Sequence, residues 1–186
     1  IIATAIWAPN ETYTFVAKAR DRAGNEENGG NGNEAGKAIV KVDNTTPEST
    51  VVLPVQDGKY NYLPTLSGTA KDVISGIKRV DIEMQRTEDS KYWNHAAKDF
   101  TEDPGFQTWD QGVTTLTDIG GGTFRWEYVM PVAWITSPDA YRLFIRAVDN
   151  ADNIQPVPDF VTQGTTFYFD NQNPVSRVTI PLDNLC

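Results

Sequence analysis

An internal repeat constrains the fold of this chain more than any other feature of its sequence. Residues 13–25 (YTFVAKARDRAGN) resemble residues 141–153 (YRLFIRAVDNADN), at an offset of 141 − 13 = 128. Residues 43–49 (DNTTPES) resemble residues 170–176 (DNQNPVS), at an offset of 170 − 43 = 127, and Trp7 corresponds to Trp134 at the same offset. Three matches in one order, with a one-residue slip that a loop can absorb, indicate a repeat of about 127 residues, the size of one domain.

The repeat period predicts how the chain divides into domains. We expect residues 1–44 to be the C-terminal part of one unit, residues 45–171 a complete unit, and residues 172–186 the first strand of a third. The two partial units do not add up to a whole one, since the strands between them are missing. The sequence is therefore expected to be part of a longer tandem array.

Alternating apolar and polar residues predict strands, and no stretch has the periodicity of a helix. The clearest are Ile77–Met84, Thr123–Tyr128 and Tyr141–Ala147, and turn sequences rich in glycine separate them. We predict strands over 49–54, 65–70, 77–85, 123–129, 141–148 and 165–170, with a further one near Tyr92, Trp93 and Trp109 in a less regular region. About seven short strands of this kind predict an all-β fold, an immunoglobulin-like or fibronectin-like β-sandwich. Tyr13 and Tyr141 open equivalent strands and are candidates for a tyrosine corner.

Composition and isolated residues argue against several classes of function. The net charge of −9 disfavours nucleic-acid binding, which needs clustered Lys and Arg. No apolar run of about 18 residues is present to span a membrane. The lone cysteine, Cys186, has no partner for an internal disulfide, and the lone histidine, His95, lies in a polar segment expected to be a solvated loop. With no phosphate-binding loop or His/Cys metal cluster, we expect the protein not to be an enzyme.

Four motifs together resemble a known family. Residues Tyr13–Asn25, Asp43–Pro47, Leu63–Gly76 and the pair Tyr92-Trp93 resemble the bacterial immunoglobulin-like tandem repeats of large secreted and cell-surface proteins, including adhesin and biofilm stalks. The resemblance implies an extracellular or cell-surface location. It also implies a structural or adhesive role as a stalk, spacer or extracellular fibre, with neighbouring repeats of the same protein as partners. The sequence departs from the family pattern at Asp152, where Gly24 stands in the other copy, and in an insertion over 26–36.

Two alternative functions remain open at this point. Exposed aromatic rings stack on sugars, so a glycan-binding module is one alternative, with a glycan or a cell-surface protein as its partner. The rings that would form such a platform are Tyr60, Tyr62, Tyr92, Trp93 and Trp109, although strand alternation equally favours packing them in the core. The other alternative is an accessory domain of a secreted hydrolase.

Acidic and amide side chains predict a calcium site between units. In the expected topology the linker and two loops of the sandwich meet at one pole, and Ca²⁺ takes six to eight oxygen ligands. The candidate metal ligands are Asp43 and Asn44 in the linker, Asp72 in the loop between the second and third strands, and Asp149, Asp152 and Asn153 in the last turn. The alternative is that these residues cap turns by bonding their own backbone.

Overall fold

A computed structural model describes residues 7–27, 36–105, 108–130, 139–156 and 164–179. Within these ranges the chain forms strands and no helix, and so no helix there could cross a membrane. Trp134 and Cys186 lie outside the described residues. The strands are β1 Thr12–Val16, β2 Lys37–Lys41, β3 Glu48–Leu53, β4 Gly58–Tyr60, β5 Thr65–Lys71, β6 Ile77–Arg86, β7 Tyr92–Asn94, β8 Asp99–Glu102, β9 Thr115–Gly120, β10 Thr123–Val129, β11 Asp139–Asp149 and β12 Thr165–Phe169.

Strands β3 to β12 form two sheets. One has the order β3-β5-β10-β9, and the other has the order β4-β12-β11-β6-β7-β8. All neighbours pair antiparallel except β4 and β12, which are parallel. The prediction of an immunoglobulin-like β-sandwich is confirmed, because two sheets in this strand order pack face to face around one core.

The core lies between the sheets and follows the alternation seen in the sequence. Every second residue of β11 from Tyr141 to Ala147 faces inward and is at least nine-tenths buried, and β6 contributes Val80, Ile82 and Met84. From the other sheet, Leu66 of β5 and Trp126 of β10 are fully buried. Burying such side chains is the main favourable term in folding, at about 25 cal/mol per Å² of apolar surface.

Gly68 of β5 lies where this strand closely approaches the ring of Trp126. A Cβ atom at Gly68 would lie 1.9 Å from the Thr50 carbonyl oxygen and 2.7 Å from the Trp126 ring. That carbonyl accepts a hydrogen bond of 3.1 Å from Trp126 Nε1. A side chain at position 68 would therefore collide with both the carbonyl oxygen and the indole ring, so this position requires glycine.

The less regular region between β6 and β10, residues 87–122, covers one edge of the sandwich and is called the excursion below. The predicted strand near Tyr92 and Trp93 is confirmed as β7, whereas β4, β8 and β9 were not predicted from the sequence. Trp93 is buried and donates from Nε1 to the hydroxyl of Tyr128, 3.1 Å away. His95 Nδ1 lies 3.0 Å from the same hydroxyl. His95 lies in a turn, as expected, but it is half-buried and not fully solvated, because its ring bonds to Tyr128 of the core.

Strands β1 and β2 form a separate hairpin whose register equals that of β11 and β12. Tyr13 pairs with Val40, and the positions that correspond by 13 + 128 = 141 and 40 + 127 = 167 pair as Tyr141 and Phe167. The neighbouring pairs along both hairpins match in the same way. The sequence repeat is thus accompanied by a repeat of backbone pairing.

The turns after the two equivalent strands also match. Asn25 donates from its backbone N–H and its Nδ2 to the carboxylate of Asp21, each at 2.8 Å, and Asn153 does the same to Asp149 at the same distances. The position before each asparagine has a positive φ, 93° at Gly24 and 66° at Asp152. Asp152 therefore keeps the turn that glycine makes in the other copy.

The predicted tyrosine corner forms in the first hairpin. The hydroxyl of Tyr13 accepts a hydrogen bond of 2.7 Å from the backbone N–H of Ala8, five residues upstream. Tyr60 makes the same kind of contact, accepting from the N–H of Val55 at 2.9 Å. Each hydroxyl fixes the chain segment that leads into its strand.

Candidate metal centre

The segment that leads from β2 into β3 brings Asp43 to the pole of the sandwich. Lys41 Nζ donates to the carbonyl oxygen of Ile74 at 2.7 Å, and the side-chain oxygen of Asn10 accepts from the backbone N–H of Asn44 at 3.1 Å. Asp43 Oδ1 accepts from the N–H of Thr45 at 2.8 Å. These bonds hold the linker against the sandwich, and they leave Asp43 Oδ2 pointing inward.

Asp72 organises the loop between β5 and β6. Its Oδ1 accepts from the backbone N–H groups of Ile74, Ser75 and Gly76, at 2.9, 2.8 and 3.1 Å. The backbone of Asp72 lies so close to Gly122 that a Cβ atom there, where φ is +72°, would be 2.2 Å from its carbonyl oxygen. The loop is therefore fixed both by its own carboxylate and by the β9–β10 turn.

Asp149 ends β11 and organises the next turn in the same manner. Its Oδ1 accepts from the N–H groups of Ala151 and Asn153, at 2.9 and 2.8 Å, and it is fully buried. Asn153 Nδ2 also donates to the carbonyl oxygen of Asp43 at 3.0 Å, which ties this turn to the linker.

Three carboxylates from these three segments converge. Each of Asp43, Asp72 and Asp149 offers an oxygen within 4.8 Å of the others, and their exposed fractions are 9%, 4% and 0%. Among the described residues, no Lys or Arg forms an ion pair with any of them. Asp43 Oδ2 is buried and has no hydrogen-bond partner there. Buried charges in proteins are commonly paired or coordinate metals, so a cation shared by the three carboxylates is the prediction that this arrangement supports.

The donor set fits calcium in chemistry and in spacing. Ca²⁺ prefers carboxylate and carbonyl oxygens at 2.3–2.6 Å, so two ligands on opposite sides of the ion lie about 4.6–5.2 Å apart. Oxygens within 4.8 Å of one another can share one such ion. The three aspartates offer part of the coordination that calcium needs, and water or backbone carbonyls commonly supply the rest. Calcium binding remains a prediction.

The other three predicted ligands have different roles in this structure. Asp152 forms an ion pair with Lys78 at 2.6 Å, and this hydrogen bond lowers its pKa. Asn44 is exposed and contacts Asn10 through its backbone. Asn153 directs its amide nitrogen, a donor, toward Asp43 and Asp149. Sequence reasoning overlooked Asn10 and Lys41, which hold the linker, because Asn10 lies 34 residues before Asn44 in the sequence and a lysine does not suggest a metal ligand.

A second group of buried acids lies under the excursion. Glu83 is 1% exposed, and neither of its carboxyl oxygens has a hydrogen-bond partner among the described residues. Burial, followed by the charges of Asp110 and Glu102, raises the pKa of Glu83 from 4.5 to about 9. Burial likewise raises the pKa of Asp110 from 3.8 to about 6. Glu83 is therefore a neutral acid at pH 7.

The aromatic residues that might have formed a sugar-binding platform are dispersed. Tyr92 and Trp93 are buried in the sandwich at 4% and 1% exposure, and Tyr62 is 77% exposed. Trp109 packs against the guanidinium of Arg146, which lies 4.5 Å from its ring centre. These rings therefore do not present one common surface.

No protein-family model matches the chain, and no curated protein does. Among solved structures, the chain is similar to the one described as the crystal structure of Dpr1 IG1 bound to DIP-eta IG1, with 12% sequence identity and a TM-score of 0.24. The alignment covers 67% of this chain and 93% of that chain. The fold assignment therefore depends on the strand order and packing described above.

Proposed function

We propose that this chain is a structural and adhesive segment of an extracellular or cell-surface protein built from tandem immunoglobulin-like modules. In this proposal residues 1–44 end one module, residues 45–171 form a complete module, and residues 172–186 begin the next. The module acts as a stalk, spacer or fibre unit, and its immediate partners are neighbouring modules of the same protein. The equal registers and equal turns of the two hairpins support this division.

The observation that carries the proposal is the convergence of three buried carboxylates where the linker meets the sandwich. Asp43 belongs to the linker, while Asp72 and Asp149 belong to loops of the module that follows. A Ca²⁺ ion bound by all three would join the linker to both loops and fix the angle between neighbouring modules. In a stalk that must stay extended, an ion shared by the linker and the loops would add stiffness at the junction.

Thermal unfolding with and without calcium tests this proposal. An ion that binds only the folded form at a hundredfold excess over its Kd stabilises it by about 2.7 kcal/mol. For a chain of this size that corresponds to a rise in Tm of about 5–10 °C. We expect millimolar Ca²⁺ to produce such a rise relative to chelator, and Asp43→Asn to abolish it. The asparagine keeps the Oδ1 acceptor for Thr45 but loses the charge.

The matched control is Asp152→Asn, which removes a carboxylate at the same pole that is paired with Lys78 instead. This variant should keep the full response to calcium. A wild-type Tm that is the same in calcium and in chelator would contradict a calcium junction. A response that survives Asp43→Asn would place the ion elsewhere.

We also infer that the module is not an enzyme. Its one histidine is held against the Tyr128 hydroxyl at the edge of the core, where it fixes the excursion. Turnover of a glycan or peptide panel that His95→Ala removes would contradict this inference.

A further inference from the structure

A groove opens at the opposite pole of the sandwich, where β12 ends. Its walls include Tyr60, Tyr168 and Phe169, together with the carboxylates of Asp57, Asp139 and Asp170. Asp139 Oδ1 accepts from the N–H of Ala140, but its Oδ2 is buried without a partner among the described residues. An acceptor buried without a donor costs about 1–3 kcal/mol, so a donor from a docked partner would stabilise this oxygen.

The repeat shows which residues of the first hairpin correspond to this groove. The offsets that align the two hairpins place Glu11 at Asp139 (11 + 128) and Lys41 at Tyr168 (41 + 127). The same offset of 127 places Asp43 at Asp170 (43 + 127). The end of the first hairpin contacts the sandwich that follows it. One side of the groove corresponds, in the second copy, to this end of the hairpin.

In the first copy, that end of the hairpin makes two contacts with the following module, while Glu11 and Lys41 stay exposed. Lys41 contacts the carbonyl oxygen of Ile74 in the β5–β6 loop, and Asp43 accepts from Asn153 in the turn after β11. Both contacts join a hairpin end to the loops of the module that follows it. In the second copy, residues 171–179 leave directly from the groove and are exposed.

We infer that this groove is the docking surface for a following module of the same type as residues 45–171, and that it receives that module's equivalent of the loop 71–76. The inference rests on the proposed function, since it requires tandem modules. The chain emerging from Asp170 places the next module at this pole. Charge complementarity favours it too, because the groove carries three carboxylates against one lysine, Lys59, while Lys71 and Lys78 flank the loop.

Disulfide cross-linking in an extended chain tests the docking. Residues 172–186 are replaced by a second copy of residues 45–171, which also removes Cys186 and rebuilds the linker as Asp-Asn-Thr-Thr-Pro. One cysteine replaces Asn61, an exposed residue of the groove, and the other replaces Val73 in the second copy, a loop residue that is 65% exposed in the first. The control pair keeps the cysteine at Val73 of the second copy and combines it with Val129→Cys, a residue that is 66% exposed at the same pole but outside the groove.

Docking raises the effective concentration of the loop at the groove, so the Asn61→Cys pair should oxidise about tenfold faster than the control pair or more. Amide NMR signals of residues 57–61 should also shift when the second copy is attached. Equal oxidation rates with two folded modules would overturn the docking and leave the tandem-module function standing. A second copy that stays unfolded, judged by its amide spectrum, would overturn both.

Discussion

The buried acid Glu83 gives the sharpest prediction about stability. In the folded chain its pKa is about 9, whereas an exposed glutamate titrates near 4.5. Between these two values the folded state holds a proton that the unfolded state has released. The free energy of unfolding therefore falls as the pH rises, by about 1.4 kcal/mol for each pH unit. The stabilisation that the raised pKa of Glu83 gives to the folded state is fully present below pH 4.5 and is lost by about pH 9.

Glu83→Gln removes this titration while it keeps the size and neutral polarity of the side chain. From pH 5 to pH 7 the wild type should lose on the order of 2–3 kcal/mol through this group, and the variant should not. At pH 7 the variant should accordingly be more stable than the wild type by a similar amount. Near pH 4.5 the two should be about equal.

Urea unfolding monitored by tryptophan fluorescence at several pH values, in chelator throughout, measures this difference. Asp110 adds a smaller dependence of the same sign up to about pH 6, where its own raised pKa lies. Glu48→Gln, which changes an exposed glutamate on β3, is the control and should leave the pH profile unchanged. A Glu83→Gln profile parallel to that of the wild type from pH 5 to pH 8 would refute the reasoning.

Two further predictions concern the core. Gly68→Ala should destabilise the fold by about 1–3 kcal/mol, because the added methyl group would collide with the Trp126 ring. Urea unfolding measures this loss, and an unchanged midpoint would contradict the close approach of β5 to the ring. Tyr128→Phe should cost about 1–3 kcal/mol, because it leaves the buried Trp93 N–H without an acceptor. Tyr62→Phe, at an exposed site, should be nearly neutral in the same assay, and equal effects of the two tyrosine variants would argue against that hydrogen bond.

The sequence predicts the central strands well because their two faces differ. In β10 the inward residues are apolar and most of their neighbours are polar, so period-two alternation indicates both the strand and its buried face. In β11 the outward face is marked by Arg142 and Arg146, although Phe144 and Val148 on that face are buried too. Of the three strands that were missed, β9 is exposed along almost all of its six residues, so no buried apolar face marks it. The other two, β4 and β8, have three and four residues, too few for alternation to be visible. Their positions follow from pairing with distant strands.

Three of the six residues proposed for the metal site come together in the structure, and the reason lies in the topology of the fold, which can be inferred from the order of the strands. The topology of the fold brings the linker and two loops to one pole, so Asp43, Asp72 and Asp149 could be grouped from the sequence. Asp152 turns instead to Lys78, a residue 74 positions away that no local pattern connects to it. Glu83 occupies a position that alternation assigns to solvent, and only the folded excursion buries it.

The parallel pairing of β4 with β12 has a mechanical consequence. Phe167, Tyr168 and Phe169 lie opposite Gly58, Lys59 and Tyr60, and the two strands run in the same direction. Tension applied between the two ends of the sandwich pulls β4 and β12 in opposite directions along their length. The hydrogen bonds of the pair then bear the load together, in shear, instead of opening one after another as in a peeled hairpin. The sandwich is thus built to resist stretching at the point where its first and last segments meet.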